Sequence, residues 1–117
     1  MYREEHEKIS LEMFGGKFTE IHDFLDQYFP KYGPYHRIIL HHQLGISLVC
    51  QKFSGPVRAA AEQHIIDDLG KIPGDWREFD FDLDYADWWL KKKTRSAKID
   101  LKGDLLKLYP DSAYLLT

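Results

Sequence analysis

Apolar side chains recur at helical spacing through residues 3–69, and glycine or proline separates the successive runs. This pattern predicts four main helices, over about residues 3–14, 20–29, 35–53 and 56–69. Gly15 and Gly70 end the first and the last of these helices, because glycine adopts the left-handed backbone of a helix C-terminus without strain. Thr19 is predicted to cap the second helix, which stops at Pro30.

The C-terminal part of the chain has a weaker pattern. Residues 79–84 alternate between apolar and polar side chains, which fits a short strand or an extended loop. Asp84 is predicted to cap a short helix that contains Trp88 and Trp89. Residues 97–117 are amphipathic, and a helix and a strand both fit them.

Length and periodicity together predict the architecture. A chain of 117 residues has a typical length for one domain. We therefore expect a single, mainly α domain over residues 1–117, in which residues 1–76 form a compact bundle of the four main helices. Residues 77–117 are expected to form a mixed or irregular extension that packs on this bundle.

Charge, cysteine content and hydropathy limit the classes of function. The 16 basic and 19 acidic side chains give a net charge of -3, which argues against a protein that mainly binds nucleic acid, although the basic patch LKKKTR at residues 90–95 leaves a local contact open. The single cysteine, Cys50, excludes an internal disulfide and fits a reducing compartment. No apolar run approaches the roughly 18 residues that cross a bilayer, and the charged N-terminus lacks the apolar centre of a signal peptide. A cytoplasmic protein without a membrane segment is expected.

Two polar residues interrupt the apolar face of the fourth predicted helix. His64 and Asp68 fall near the middle of that face on a helical wheel. The face itself consists of Val57, Ala60, Ala61, Ile65 and Leu69. A buried carboxylate is costly unless a charge, a strong hydrogen bond or a metal ion compensates it. The pair therefore indicates either a polar network or a binding site.

The third predicted helix carries a similar anomaly. His42 lies near the centre of its apolar face, and His41 points about 100° away. Gly45 follows one turn later and removes side-chain bulk beside the histidines. A glycine inside a helix costs about 1 kcal/mol relative to alanine, so its presence indicates close approach of a backbone or a ligand.

Histidines on the core-facing side of all four helices predict a metal site, since helical bundles assemble such sites from inward ligands on facing helices. The expected ligands are His42, His64 and Asp68, with His22 or His6 completing the set. His41 and Asp26 are expected to orient these ligands from outside the first coordination shell. Imidazole and carboxylate together suit zinc, iron(II), manganese or nickel. A structural alternative remains, because buried His–Asp pairs often satisfy only each other.

Several motifs resemble a family of small bacterial and phage proteins of unknown function. They are FGGK at residues 14–17, His22 with Asp26, HRIILHHQLGI at residues 36–46 and PVRAAAEQHIIDDLGKIP at residues 56–73. The resemblance covers roughly the first 76 residues, and the chain beyond Trp76 has no counterpart in it. The chain departs from the family pattern at Phe24, where the family often has tryptophan. The resemblance implies that further polar residues belong with those of the expected site, namely His36, Arg37, Arg58 and Glu62.

These observations support two main hypotheses of function. In the first, the protein is a metal-dependent hydrolase of a small phosphorylated or acyl compound, whose ion lowers the pKa of a bound water. Arg37 or Arg58, with His36, would face the anionic group of the substrate, and Glu62 would support the ligands. In the second, the protein is a non-enzymatic interaction module, related to phage or host defence, with a buried hydrogen-bond network. The sequence is compatible with a homo-oligomer and names neither a substrate nor a protein partner.

Overall fold

Helices make up all the regular secondary structure in the described part of the chain, which covers residues 2–79, 82–95 and 99–110 of a computed structural model. This confirms the predicted mainly α fold class. The α-helices of these residues are α1 (Arg3–Phe14), α2 (Thr19–Leu25), α3 (Phe29–Tyr32), α4 (Arg37–Leu40), α5 (Gln43–Lys52), α6 (Val57–Leu69), α7 (Leu83–Thr94) and α8 (Leu101–Leu108). Two 3₁₀ turns, Gly33–His36 and Trp76–Glu78, precede α4 and follow α6.

The first and fourth predicted helices agree with α1 and α6. Gly15 closes α1 with φ at 78°, and its amide donates to the carbonyl oxygen of Leu11. Gly70 closes α6 in the same left-handed conformation, with φ at 77°. Both helices therefore end where glycine relieves the steric penalty of that conformation.

The second predicted helix divides into α2 and α3, because the chain leaves helical geometry after Leu25. Pro30 then occupies the first turn of α3, a position where its missing N–H is not needed. Thr19 was predicted as an N-cap, but it is the first residue of α2 and Phe18 precedes it with φ at 53°. The Thr19 hydroxyl instead donates to a Glu7 carboxylate oxygen at 3.2 Å, which joins α2 to α1.

The third predicted helix is interrupted at His41 and His42, between α4 and α5. His42 has an extended backbone, with φ at -160° and ψ at 179°, and it caps α5. Its Nδ1 accepts from the Gly45 amide at 3.3 Å, and its Nε2 donates to the Ile38 carbonyl oxygen at 3.0 Å. Because both histidines lie in the interruption, outside α4 and α5, they are not constrained to one helical wheel.

Gly45 is the residue that permits this interruption. A Cβ atom at this position would overlap the backbone carbonyl group of Leu40, which cannot move without shifting α4. The close approach expected from the sequence is therefore made by another part of the backbone. The Gln43 amide, at the start of α5, donates to the carbonyl oxygen of Pro73 at 2.9 Å and fixes the corner from the other side.

The C-terminal extension is helical where it is described. Asp82, and not Asp84, caps α7, because its carboxylate accepts from the Tyr85 amide at 3.1 Å. Asp100 caps α8 by accepting from the Gly103 amide at 3.0 Å. The alternating segment at 79–84 partly lies outside the described residues, at positions 80 and 81, as do residues 96–98 and 111–117.

The apolar core joins this extension to the preceding helices. Buried side chains of α2, α4, α5, α6, α7 and α8 form one cluster. The Tyr109 hydroxyl donates to the Ile39 carbonyl oxygen at 2.6 Å, and Lys31 of α3 pairs with Asp104 of α8 at 2.8 Å. No helix within the described ranges is both long and apolar enough to span a membrane.

We predict that Gly45→Ala destabilises the protein although alanine favours helix. Overpacking against the Leu40 carbonyl group costs about 1–3 kcal/mol, which exceeds the gain of about 1 kcal/mol in helix propensity. Urea unfolding of the purified variant measures the change. Ser47→Ala, at an exposed site on α5, is the matched control and is expected to stay within about 0.5 kcal/mol of the parent. A Gly45→Ala variant as stable as the parent would contradict the described corner.

Candidate metal centre

Four potential metal ligands converge between α2, α6 and the interruption after α4. Asp26 ends α2, His64 and Asp68 lie one turn apart on α6, and His41 is the first residue after α4. One ligand atom from each of the four lies within 4.8 Å of the others. The helical interruption contributes to the site, because it allows the His41 ring to face α6.

The four nitrogen-to-oxygen distances among these atoms are those of groups that share one coordination sphere. His64 Nε2 lies 3.2 Å from an Asp26 oxygen and 3.4 Å from an Asp68 oxygen. His41 Nε2 lies 3.5 Å and 3.0 Å from the same two oxygens. Ligands held at about 2.0–2.1 Å from one zinc ion in tetrahedral geometry are about 3.3 Å apart. The arrangement could therefore hold a metal ion with little rearrangement.

A second layer of polar groups supports His64 and Asp68. His6 Nε2 donates to the other oxygen of Asp68 at 3.2 Å, and its ring stacks on His64 with centroids 3.7 Å apart. His22 Nδ1 lies 2.8 Å from His64 Nδ1, and His22 Nε2 lies 2.9 Å from the Ser10 hydroxyl. Each nitrogen of His64 thus faces a defined partner, which is how an outer layer fixes the tautomer of a ligand.

The carboxylates of this cluster are held ionised. Burial disfavours the charge on Asp68, but hydrogen bonds from His41, His6 and His64 outweigh it and hold the pKa of Asp68 far below its usual range. The pKa of Asp26 is also lowered, because hydrogen bonds from His36 and His64 outweigh its burial.

The histidines respond to burial in two ways. Burial lowers the pKa of His41 to about 4, and burial together with the charges of His64 and His6 lowers the pKa of His22 to about 4. For His64 burial acts in the same direction, but hydrogen bonds to the two carboxylates raise its pKa above the usual value. The metal-free cluster therefore sets two ionised carboxylates beside the nearby Arg37 and beside His64, whose protonated form they favour.

The two carboxylates of the cluster, Asp26 and Asp68, line a cleft of about 680 Å³, and His41 and His64 lie buried behind them. Asp26, Asp68, His36 and Arg37 all line this cleft. The Arg37 guanidinium lies 3.5 Å from Asp68, and His36 Nδ1 donates to the Gly33 carbonyl oxygen at 2.8 Å. The cleft volume falls within the range of about 300–1,000 Å³ that is typical of small-molecule sites. A ligand in it would be directly beside the carboxylates.

Comparison with known proteins places the chain in a family. The model of a domain of unknown function, DUF6915, matches residues 1–89. The chain belongs to this DUF6915 family. No curated protein and no solved structure matches it. The match continues beyond Trp76 into α7, so a larger part of the chain has counterparts than the sequence motifs suggested. The four potential ligands and the cleft lie entirely within the DUF6915 domain.

Most of the residues predicted for the site lie together in the DUF6915 domain. Asp26 and His41 were expected in the outer layer, yet they supply two of the four converging ligand atoms. His22 and His6 were expected to complete the coordination shell, and with His64 they form a second group of potential ligands behind the first. Sequence periodicity could not separate these two layers, because it gives the face of a helix and not the depth of each side chain.

Three predicted residues lie elsewhere. His42 is fully buried but belongs to neither group, since its two ring nitrogens contact the backbone of α4 and α5 and its ring contacts Phe79 and Tyr109. The wheel of an unbroken helix favoured His42 over His41, and the interruption reverses their positions. Arg58 is exposed on α6, and within the described chain neither it nor Glu62 forms a hydrogen bond or ion pair with the cluster.

We predict that the unfolding free energy of the metal-free protein falls as the pH is lowered from about 7 to about 4. Unfolded histidines bind protons near pH 6.5, whereas His22, His41 and His42 do so only near pH 4 in the folded state. Each contributes a slope of up to about 1.4 kcal/mol per pH unit between these limits. His64 acts in the opposite direction because its pKa is raised.

Chemical unfolding at several pH values in the presence of a chelator tests this prediction. His42→Asn is the informative control, because asparagine can still accept from the Gly45 amide but cannot titrate. This variant is expected to show a shallower pH dependence than the parent. A free energy that stays constant or rises toward pH 4 would contradict the described burial.

Proposed function

We propose that this protein is a metal-dependent hydrolase of small phosphate esters. Its divalent ion would be held by Asp26, His41, His64 and Asp68. One observation carries the proposal, namely four converging ligand atoms whose two carboxylates open onto a cleft that also contains an arginine. Two imidazoles and two carboxylates suit zinc, iron(II), manganese or nickel. With a water as an additional ligand beside the four protein groups, such an ion would lower the pKa of that water and polarise a phosphoryl oxygen.

The outer layer of histidines supports this ligand set. If His64 Nε2 binds the ion, its Nδ1 carries the proton and donates to His22 Nδ1, which lies 2.8 Å away. His22 is then protonated at Nε2 and donates to the Ser10 hydroxyl oxygen at 2.9 Å. The Ser10 hydroxyl can accept this bond, so the His22–Ser10 pair is compatible with the tautomer that His64 needs as a ligand. His6 restrains Asp68 in the same way, through the oxygen that does not face His41.

Arg37 favours a phosphate ester among the possible substrates. Its Nε is buried and has no hydrogen-bond partner among the described residues, while its terminal nitrogen pairs loosely with Asp68 at 3.5 Å. A guanidinium group with unused donors matches the oxygens of a phosphate. In the hydrolysis, a bond forms from the water oxygen to phosphorus, the ester P–O bond breaks, and the departing alcohol takes up a proton. Arg37 would neutralise the charge on the phosphoryl oxygens.

We predict that His41 and His42 differ sharply in their effect on metal binding. His41→Asn removes a ligand and is expected to weaken the affinity for zinc or manganese by at least about 100-fold. His42→Asn is expected to leave this affinity nearly unchanged, because His42 faces the opposite side of the α4–α5 corner. Elemental analysis of the untagged protein and calorimetric titration of the metal-free protein measure both effects.

Protein that retains no metal and binds none on titration would contradict the proposal. The cluster would then be a buried hydrogen-bond network, and removal of His64 or Asp68 would cost about 1–3 kcal/mol of stability in the metal-free protein. Equal losses of affinity in the two asparagine variants would place the ion elsewhere.

We also predict metal-dependent release of phosphate from small esters, tested first with p-nitrophenyl phosphate and bis-p-nitrophenyl phosphate. Arg37→Gln removes a charged hydrogen-bond donor and is expected to lower kcat/KM by about 10–100-fold. Arg58→Gln, at an exposed site outside the cleft, is the matched control and is expected to change it less than about twofold. Hydrolysis of a p-nitrophenyl acyl ester instead, with no effect of Arg37→Gln, would indicate acyl chemistry and contradict the phosphate assignment.

A further inference from the structure

We infer that the cleft selects phosphate monoesters that carry a planar aromatic group, such as nucleoside monophosphates. This inference rests on the proposed function, because the phosphate is placed at the metal centre. It adds a second recognition element, formed by aromatic side chains of the cleft wall. Sequence periodicity gave no indication of this element.

Two aromatic rings line the cleft without belonging to the apolar core. Phe29, in α3, is 57% exposed, and Tyr2, immediately before α1, is 78% exposed. Both are absent from the buried apolar cluster, to which Tyr32 of the same α3 helix belongs. Large rings that remain exposed beside a polar cleft floor leave apolar area available to a ligand.

The position of Phe29 is fixed by its surroundings. Its ring contacts the His36 ring edge to face, with centroids 5.3 Å apart and planes at 88°. Pro30 restricts the backbone of α3, and Tyr32 and Lys31 anchor this helix to Asp104 of α8. A fixed ring offers a flat surface for stacking at a low entropic cost. Since His36 reaches Asp26 at 3.3 Å, this surface lies one residue away from the metal ligands.

The charges of the cleft favour a single phosphate group bound in the presence of the ion. Two arginines and three carboxylates line the cleft, so without a divalent ion the carboxylates are in excess. Arg3 already pairs with Glu7 and Asp23, at 3.2 Å and 2.8 Å. Arg37 is therefore the main cation for a ligand beside the ion. Glu5, also in the lining, would repel a second phosphate and can accept from a hydroxyl or amino group.

A matched pair of ligands tests this inference. Adenosine 5′-monophosphate and ribose 5-phosphate share the sugar and the phosphate and differ by the base. Calorimetry with zinc- or manganese-loaded protein measures both affinities, and phosphate release is followed in the same samples. We expect the nucleotide to bind at least about 10-fold more tightly, because stacking of a base on an aromatic ring contributes substantially to affinity.

Phe29→Leu keeps an apolar side chain but removes the ring, and it is expected to reduce this preference to about twofold or threefold while metal content stays unchanged. Tyr85→Leu, at a ring on α7 that is 55% exposed and outside the cleft, is the matched control and should leave the preference intact. Equal affinities for the two ligands, or a Phe29→Leu effect that is the same for both, would overturn the inference while leaving the metal site in place. Absence of metal binding would overturn the proposed function and, because the phosphate is placed at the ion, this inference with it.

Discussion

Asp68 carries a negative charge on a side chain that is only 2% exposed, and the polar interior of the protein is arranged around that charge. His6, His41 and His64 surround its oxygens, and Arg37 approaches from the cleft. An isolated buried carboxylate would be severely destabilising, so these partners are a condition of the fold and not an addition to it. Because they come from α1, α4, α6 and the corner after α4, one charge fixes the mutual positions of these elements. The groups that satisfy Asp68 in the metal-free protein are also suited to coordinate an ion.

The corner between α4 and α5 brings His41 to Asp68 and so completes the group of potential ligands. In an unbroken helix, consecutive residues point about 100° apart, so His42 would face the core and His41 would point away from it. The interruption lets His41 face Asp68 while His42 turns back to cap α5. Gly45 makes the interruption sterically possible, since no other residue would fit against the Leu40 carbonyl group without a shift. A backbone feature thus determines which imidazole enters the cluster.

Residues outside the family match contribute to the stability of the cleft. The DUF6915 match ends at residue 89, but Leu101 and Leu105 of α8 are buried in the apolar core. Asp104 of the same helix binds Lys31 and Tyr32 of α3, the helix that carries Phe29. The extension therefore supports the cleft wall from behind, while the potential ligands lie wholly within the matched segment.

The amino-acid sequence by itself determined the helical class, the bounds of α1 and α6, and the presence of inward-facing polar groups. Glycine ends helices for a local steric reason. The helical period of one segment is enough to place His64 and Asp68 on its buried face. Those signals act over a few residues, so they can be read from the chain directly.

Only the tertiary structure decided which of these groups meet. His41 enters the cluster in place of the expected His42. This depends on the contact between Gly45 and the Leu40 backbone, and on the hydrogen bond from Gln43 to Pro73, which is distant in sequence. How deeply each helix packs decides which layer a residue joins. Asp26 and His41 lie in one layer, and His22 and His6 lie in the other. Such contacts join residues that are distant in sequence, and for that reason the local pattern of apolar and polar residues does not specify them.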